Sequence, residues 1–223
     1  KLFWKKLGKK IYRVTCPTIG TMLDLKSNKI FEENKIVLLR DPIVSVRKIS
    51  RLKDEKNEYN YDHKNYLIVA IGRLTKQKNF MLLINCFQKI IKIKKNAKLL
   101  IIGEGEQKNN LQNIIEKKKL LEKVILVGFK ENVYSYLKNA NLFILSSLWE
   151  DPGWVLIEAA ASNTLLLASN CKNGPEELIE KNQGGVLFEN NSYEDFIEKF
   201  KHVTELNHKQ IYEKKVFSKK KIK

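Results

Sequence analysis

Cysteine, histidine and proline are scarce in this 223-residue chain, with 3, 3 and 4 residues respectively. Cys16, Cys86 and Cys171 are odd in number and far apart, with no C-x-x-C pair and no neighbouring histidine. That spacing excludes a disulfide framework and a zinc site, and the thiols read as reduced, as in a cytosolic protein. His63, His202 and His208 show no metal spacing either, and the last two fall in a polar helical stretch. Long apolar runs are missing as well. Leu99 to Ile102 is typical of the longest, far short of the roughly 20 residues a membrane span needs, and no signal peptide is visible. The first residue is Lys rather than Met, so a fragment of a longer protein is expected.

Acidic residues are also in short supply, 25 against 42 Lys and Arg, for a net charge of +17. A balance of this size usually raises nucleic acid or an anionic membrane as partner. Its distribution argues against nucleic acid, because residues 1–13 and 209–223 hold +6 each, leaving +5 for the stretch between. A nucleic-acid-binding domain would concentrate charge on a folded face, with aromatic residues interleaved for stacking. A hydrophobic content of 43% excludes disorder and is enough for one well-filled core, or one core plus the remnant of another.

From Tyr66 onward, short β-rich runs alternate with amphipathic stretches. Strands are expected at 66–72, 98–103, 123–128, 142–146, 164–168 and 185–188; helices at 79–95, 107–120, 132–139, 154–162, 175–181 and 192–206. The alternation predicts an α/β fold, a Rossmann-like parallel sheet with helices on both faces. Within 79–95, Phe80, Leu83, Ile84, Phe87, Ile90 and Ile91 recur at helical spacing, a core stripe. Residues 1–40 differ: a basic amphipathic helix at 1–12, a short strand, a helix at 18–26 and an apolar strand at 35–39, too little to bury a core of their own. The expected organisation is therefore a domain remnant at 1–40, a charged linker at 41–65, a nearly complete domain at 66–208 and a basic tail at 209–223.

Three constellations carry chemistry. Arg73 and Lys78 lie five residues apart, just after the buried-strand pattern of 66–72, so both cations fall at the carboxyl edge of a sheet, where α/β proteins bind ligands. Two such cations can flank one diphosphate; taken alone they also suit a solvated loop. Gly103 and Gly105 follow a strand and precede a helix. They are compatible with a turn that approaches a phosphate or base, and equally with a plain structural turn, because the third glycine of a dinucleotide fingerprint is missing. The stretch from Ser146 to Ala159 holds Glu150 on a loop and Glu158 one turn into a helix, with Pro152, Gly153 and Trp154 between them. Both carboxylates then face one crevice beside a helix N-terminus, whose free N–H groups favour an anion.

Those residues, in order, carry a resemblance. Gly72 to Phe80, Leu100 to Gly105, Val127 to Phe129, Ser147 to Glu150 with Glu158-Ala159, and Asn173 to Glu177 resemble the ordered motifs of the family 4, group 1 type, retaining glycosyltransferases of GT-B fold, over about residues 66–190. The resemblance implies a carboxyl-terminal donor-binding domain that uses a nucleotide sugar, UDP-linked by expectation, without metal or other cofactor. It implies that Arg73 and Lys78 hold the diphosphate, Glu158 the ribose and Glu150 the donor sugar, with the last acting in catalysis alongside the two cations. Gly103, Gly105, Gly153 and Trp154 would border the donor, and segment 123–134, around Gly128 and Phe129, the base. The implied reaction is hexosyl transfer to a glycan or lipid-linked acceptor, in the cytoplasm; the resemblance implies that the basic helix at 1–12 packs within the acceptor domain, with peripheral contact with the inner membrane face as the alternative. Two departures stand out: Asp151 replaces a glycine common after the first glutamate and adds a negative charge, and Asn163 replaces a helix-ending glycine, a mild change. A non-catalytic donor-binding module, motivated by the missing half-domain, is the alternative. A glycoside hydrolase using Glu150 and Glu158 has no use for the cationic pair.

Overall fold

The computed structural model describes residues 6–8, 10–41, 45–59 and 61–222. Residues 1–5 and 9, half of the basic helix expected at 1–12, lie outside the described residues.

After two short strands, β1 (Val14–Cys16) and β2 (Ile36–Leu38), six strands form one all-parallel sheet: β3 (Tyr66–Ile71), β4 (Ala97–Ile102), β5 (Val124–Gly128), β6 (Leu142–Leu145), β7 (Leu166–Ser169) and β8 (Val186–Phe188). Their order is β5-β4-β3-β6-β7-β8. Apart from Lys98 near the start of β4 and Ser169 at the end of β7, the strands are almost wholly apolar, as a sheet covered on both faces requires. Successive residues alternate between the two cores: Ile68, Ala70, Leu99 and Ile101 enter one, and Leu67, Val69, Ile71, Leu100 and Ile102 the other. The first core is roofed by α3 (Phe80–Ile93), α4 (Lys108–Lys117) and α8 (Tyr193–Glu205), the second by α5 (Tyr134–Asn139), α6 (Trp154–Ala161) and α7 (Pro175–Ile179). α3 buries Phe80, Leu83, Ile84, Phe87 and Ile90, the stripe its periodicity predicts, and Ile91 packs partly buried at its edge. Chain direction across the sheet reverses its sense of travel between β3 and β6, so the loops after these two strands diverge and open a crevice.

Two segments differ from expectation. Within the stretch 41–65, read as a linker without periodicity, Val46–Leu52 forms helix α2, capped by the Ser45 hydroxyl, which accepts from the Lys48 N–H at 3.3 Å. A helix this short is held by docking rather than propensity: its Ile49 is buried against Tyr134 and Ala161. The stretch 209–223, read as a basic tail, is largely helix α9 (His208–Lys221), started by a capping box between Asn207 and Gln210. α9 packs on α6 and α7. It buries Ser218, and the Lys214 Nζ donates to the Gly185 carbonyl at 3.1 Å. Burial lowers the Lys214 and Lys215 pKa values, so the stems of two lysines lie against protein and the run is not a free charged strand.

The amino-terminal unit has little core of its own. β1 (Val14–Cys16) and β2 (Ile36–Leu38) pair in parallel, and α1 (Ile19–Ser27) has no fully buried residue. Polar contacts fasten it to the loops around Glu150: the Thr18 hydroxyl donates to Asp151 at 3.1 Å and the Gly20 N–H to Glu177 at 3.1 Å. Arg40 bonds the other oxygen of Glu177 at 3.2 Å, and Lys172 pairs with Asp24 at 2.6 Å.

Candidate functional site

The crevice at the carboxyl ends of β3 and β6 is a cleft of about 1010 Å³, in the size range of small-molecule sites. β3 ends at Ile71; Gly72 follows, and then Arg73 at the rim, exposed. The β4 turn closes in from the side: a Cβ on Gly103 would sit 1.9 Å from the Gly72 carbonyl oxygen, so only glycine permits this approach. Gly103 lines the cleft. Gly105 and Gly128, expected beside the donor and base, do not themselves line the cleft but lie next to the turn that does. A Cβ on Gly105 would meet the Leu74 backbone at 2.6 Å, whereas Gly128, at φ +81°, offers its carbonyl to the Gly103 N–H at 2.9 Å. They shape the turn that Gly103 presents.

On the far side, β6 delivers Ser146, Ser147 and Trp149 to a turn ending at Glu150. The Glu150 side chain is only 5% exposed, and its Oε1 accepts from both the Lys78 Nζ at 2.5 Å and the Ser147 hydroxyl at 2.5 Å. Ser146 donates to the Lys78 carbonyl at 2.7 Å and Ser169 to the Ser147 carbonyl at 2.6 Å, so cation and carboxylate are each held from behind. The Leu148 N–H donates to the Gln77 carbonyl at 2.8 Å, stitching the two loops together. Lys78 and Arg73 therefore share a turn but not a state: Lys78 is paired in the floor, whereas among the described residues Arg73 has no ion-pair partner.

Gly153, at φ +87°, starts α6, and Gly153, Trp154 and Val155 line the cleft with the helix N-terminus. Glu158, two residues past Leu156 on the same helix, is half-buried and lines it too. Burial raises its carboxyl pKa; a hydrogen bond from the Tyr134 hydroxyl, at 3.2 Å, and the charge of Lys48 act in the opposite direction. The Tyr134 hydroxyl is pushed up to about 12, by burial first and by Glu158 second, so it remains protonated and donates at neutral pH. Phe129, Trp149 and Trp154 are exposed at the rim, at 72%, 52% and 53%, leaving aromatic faces open to a planar ligand. Asp151 also lines the cleft, its carboxylate held by Thr18. Asn163 adopts φ +64°, the left-handed conformation that makes its replacement of glycine mild.

The structure thus brings Arg73, Lys78, Gly103, Phe129, Glu150, Gly153, Trp154 and Glu158 to one cleft. Sequence reasoning missed Ser147 and Tyr134. The adjacent serines before Glu150 were a local signal; Tyr134, 24 residues from Glu158, left none. Among the described residues no helix is long and apolar enough to cross a membrane, and no cluster of three or more His, Cys, Asp or Glu is placed to hold a metal.

Comparison with known proteins gives a consistent picture. Residues 52–218 match the sequence profile of the family described as Glycosyl transferases group 1. An uncharacterized glycosyltransferase of Methanocaldococcus jannaschii is 37% identical over 140 residues, covering 61% of this chain and 34% of the relative. The N-acetylgalactosamine-N,N'-diacetylbacillosaminyl-diphospho-undecaprenol 4-alpha-N-acetylgalactosaminyltransferase of Campylobacter jejuni is 36% identical over 126 residues, covering 56% of this chain and 34% of the relative. The chain thus spans about a third of the length of these curated relatives. Among solved structures, S. aureus TarM in a complex that includes alpha-GlcNAc-glycerol and UDP superposes with a TM-score of 0.82 at 25% identity, covering 98% of this chain and 42% of TarM. The pneumococcal O-GlcNAc transferase GtfA with UDP and GlcNAc gives 0.79 at 17% identity, covering 99% and 43%.

Proposed function

The chain belongs to the group 1 glycosyl transferases, and from that premise we propose that it forms the donor-binding part of an enzyme moving a hexosyl group from a UDP-sugar to a glycan or lipid-linked acceptor, with retention and without metal. One observation carries the proposal: two cations from the β3 turn and two carboxylates from the β6–α6 segment meet in a single cleft at the point where the sheet changes sense. UDP in the TarM and GtfA complexes supports the choice of nucleotide, and the diphospho-undecaprenol-linked substrate in the name of the Campylobacter relative supports a lipid-linked acceptor.

The roles follow from chemistry. A diphosphate seated at the α6 N-terminus meets N–H dipoles, Arg73 and Lys78. When the bond from the anomeric carbon to the diphosphate oxygen breaks, the electron pair leaves with the phosphate, and fixed cations act most strongly on that developing charge. Glu158 accepts the ribose hydroxyls. Glu150, held on Lys78 and Ser147, still has its second carboxylate oxygen to accept a hydroxyl of the transferred sugar.

Calorimetric titration with a panel of nucleoside diphosphates tests the site. Glu158→Gln is expected to weaken UDP binding, whereas Glu150→Gln spares UDP binding and slows transfer in the full-length protein. Equal loss of UDP binding in both variants would show the two roles to be wrongly divided. Peripheral attachment to the inner membrane face, proposed from the lysines of residues 1–12, predicts co-sedimentation with anionic vesicles that salt reverses.

A further inference from the structure

Glu158 is one end of a chain of contacts that leaves the cleft. Its partner Tyr134 opens α5, and the backbone N–H groups of Tyr134 and Ser135 are both accepted by the Asn132 side-chain oxygen, at 3.1 and 3.4 Å. The amide nitrogen of the same Asn132 donates to the Leu52 carbonyl at 2.8 Å and to Glu55 at 2.9 Å, at the far end of α2. The ring of Tyr134 is 5% exposed, packed with Ile49 of α2 and Ala161 of α6. Beyond α2 the segment continues to grip the same region: Lys130 pairs with Glu58 at 2.5 Å, Lys138 pairs with Asp54, and the Tyr61 hydroxyl donates to the Ser135 carbonyl at 3.2 Å. Residues 129–133, between β5 and α5, meanwhile furnish four cleft-lining positions, Phe129, Lys130, Glu131 and Val133. The segment that joins the amino-terminal unit to the sheet thus braces the nucleotide end of the cleft from outside.

We propose that Tyr134 is a positioning residue for nucleotide binding, orienting Glu158 by its hydroxyl and relaying the seating of helix α2 to that carboxylate. The inference rests on the reading of Glu158 as the ribose acceptor. With Tyr134 occupying Oε1, the remaining lone pairs of Glu158 are directed to the ligand; without it the half-buried carboxylate loses its donor and its preferred rotamer. Movement of α2 shifts Ile49, then the Tyr134 ring, then Glu158, so the connection between the two units and the affinity for nucleotide are tied to one side chain.

Tyr134→Phe keeps the ring and removes only the hydroxyl. UDP binding, measured by calorimetry on the whole chain, is expected to weaken about three- to tenfold. The titratable groups that bear on Glu158 are Tyr134 from α5 and Lys48 from α2. Because the lost hydrogen bond opposed the upward push of burial, the Phe variant should lose binding on acidification at a higher pH than the wild type, while the titration of UDP itself is common to both. A merely structural role would lower affinity evenly across pH. Ile49→Ala should weaken UDP binding in the wild type and add little in the Phe background. Loss of affinity in Glu158→Gln with unchanged affinity and pH profile in Tyr134→Phe overturns this inference alone; no effect from Glu158→Gln overturns it together with the ribose assignment. Equal effects of Ile49→Ala in both backgrounds overturn the link to α2.

Discussion

The floor and the rim of the cleft are built on different physics. In the floor, Lys78 and Glu150 are withdrawn from water and satisfy each other, with Ser147 and Ser146 fixing both. At the rim, Arg73 is exposed, Phe129, Trp149 and Trp154 offer bare rings, and Glu104 shares an open ion pair with Lys108 at 2.9 Å. The floor is preorganised and bears its desolvation in the folded state; the rim leaves partners for a ligand to supply. Charge alone does not distinguish them, since each holds cations and carboxylates. Burial does.

Breaking the floor should have the largest effect. Lys78→Met strands the buried Glu150 carboxylate with a single hydroxyl donor, and an uncompensated charge of this kind lowers stability by about 3–5 kcal/mol. Denaturant unfolding reads this directly. Adding Glu150→Gln should restore most of the loss, and a double variant no better than the single would show that the pair is not the stabilising unit. Arg73→Ala should show the opposite pattern: stability within about 0.5 kcal/mol of wild type, but UDP affinity reduced roughly ten- to a hundredfold through loss of a charge-assisted contact of about 1.5–3 kcal/mol. Unchanged affinity there would remove Arg73 from the diphosphate site. Smallest of all, Glu104→Gln opens an exposed pair and should change stability by less than about 1 kcal/mol, less still in high salt; a larger shift would mean that the rim is as tightly bound as the floor.

Legibility in the sequence follows the same division between local and distant causes. Continuous apolar strands and the Phe80-to-Ile90 stripe announce a parallel sheet because each signal lies within one element. The cations of the β3 turn and the two glutamates were visible for the same reason, as residue types at a strand end. The pairing of Lys78 with Glu150 was not, since the two are 72 residues apart and only the sheet brings them together. Nor were α2 and α9 visible: one is seven residues long and the other is rich in lysine, and both depend on surfaces supplied by other helices. A glycine required by backbone packing and one required by a ligand leave the same mark in the chain, so the sequence does not separate Gly103, which lines the cleft, from Gly105 and Gly128, which do not.

The β3–β6 junction also has a kinetic meaning. β3 and β4 are matched along six register pairs, but β3 and β6 along two, Ile68 with Leu142 and Val69 with Phe143. The Leu67 N–H, bonded at 2.7 Å to the Asn141 side chain, bridges a sequence separation of 74 residues at this seam. Closing so long a loop pays its entropy before many contacts reward it. A ligand that reaches from Arg73 to Glu158 spans the same seam, so it acts as a clasp on the joint between two halves of the sheet. Bound UDP should therefore slow amide hydrogen exchange most along β3 and β6, and least at the outer strands β5 and β8.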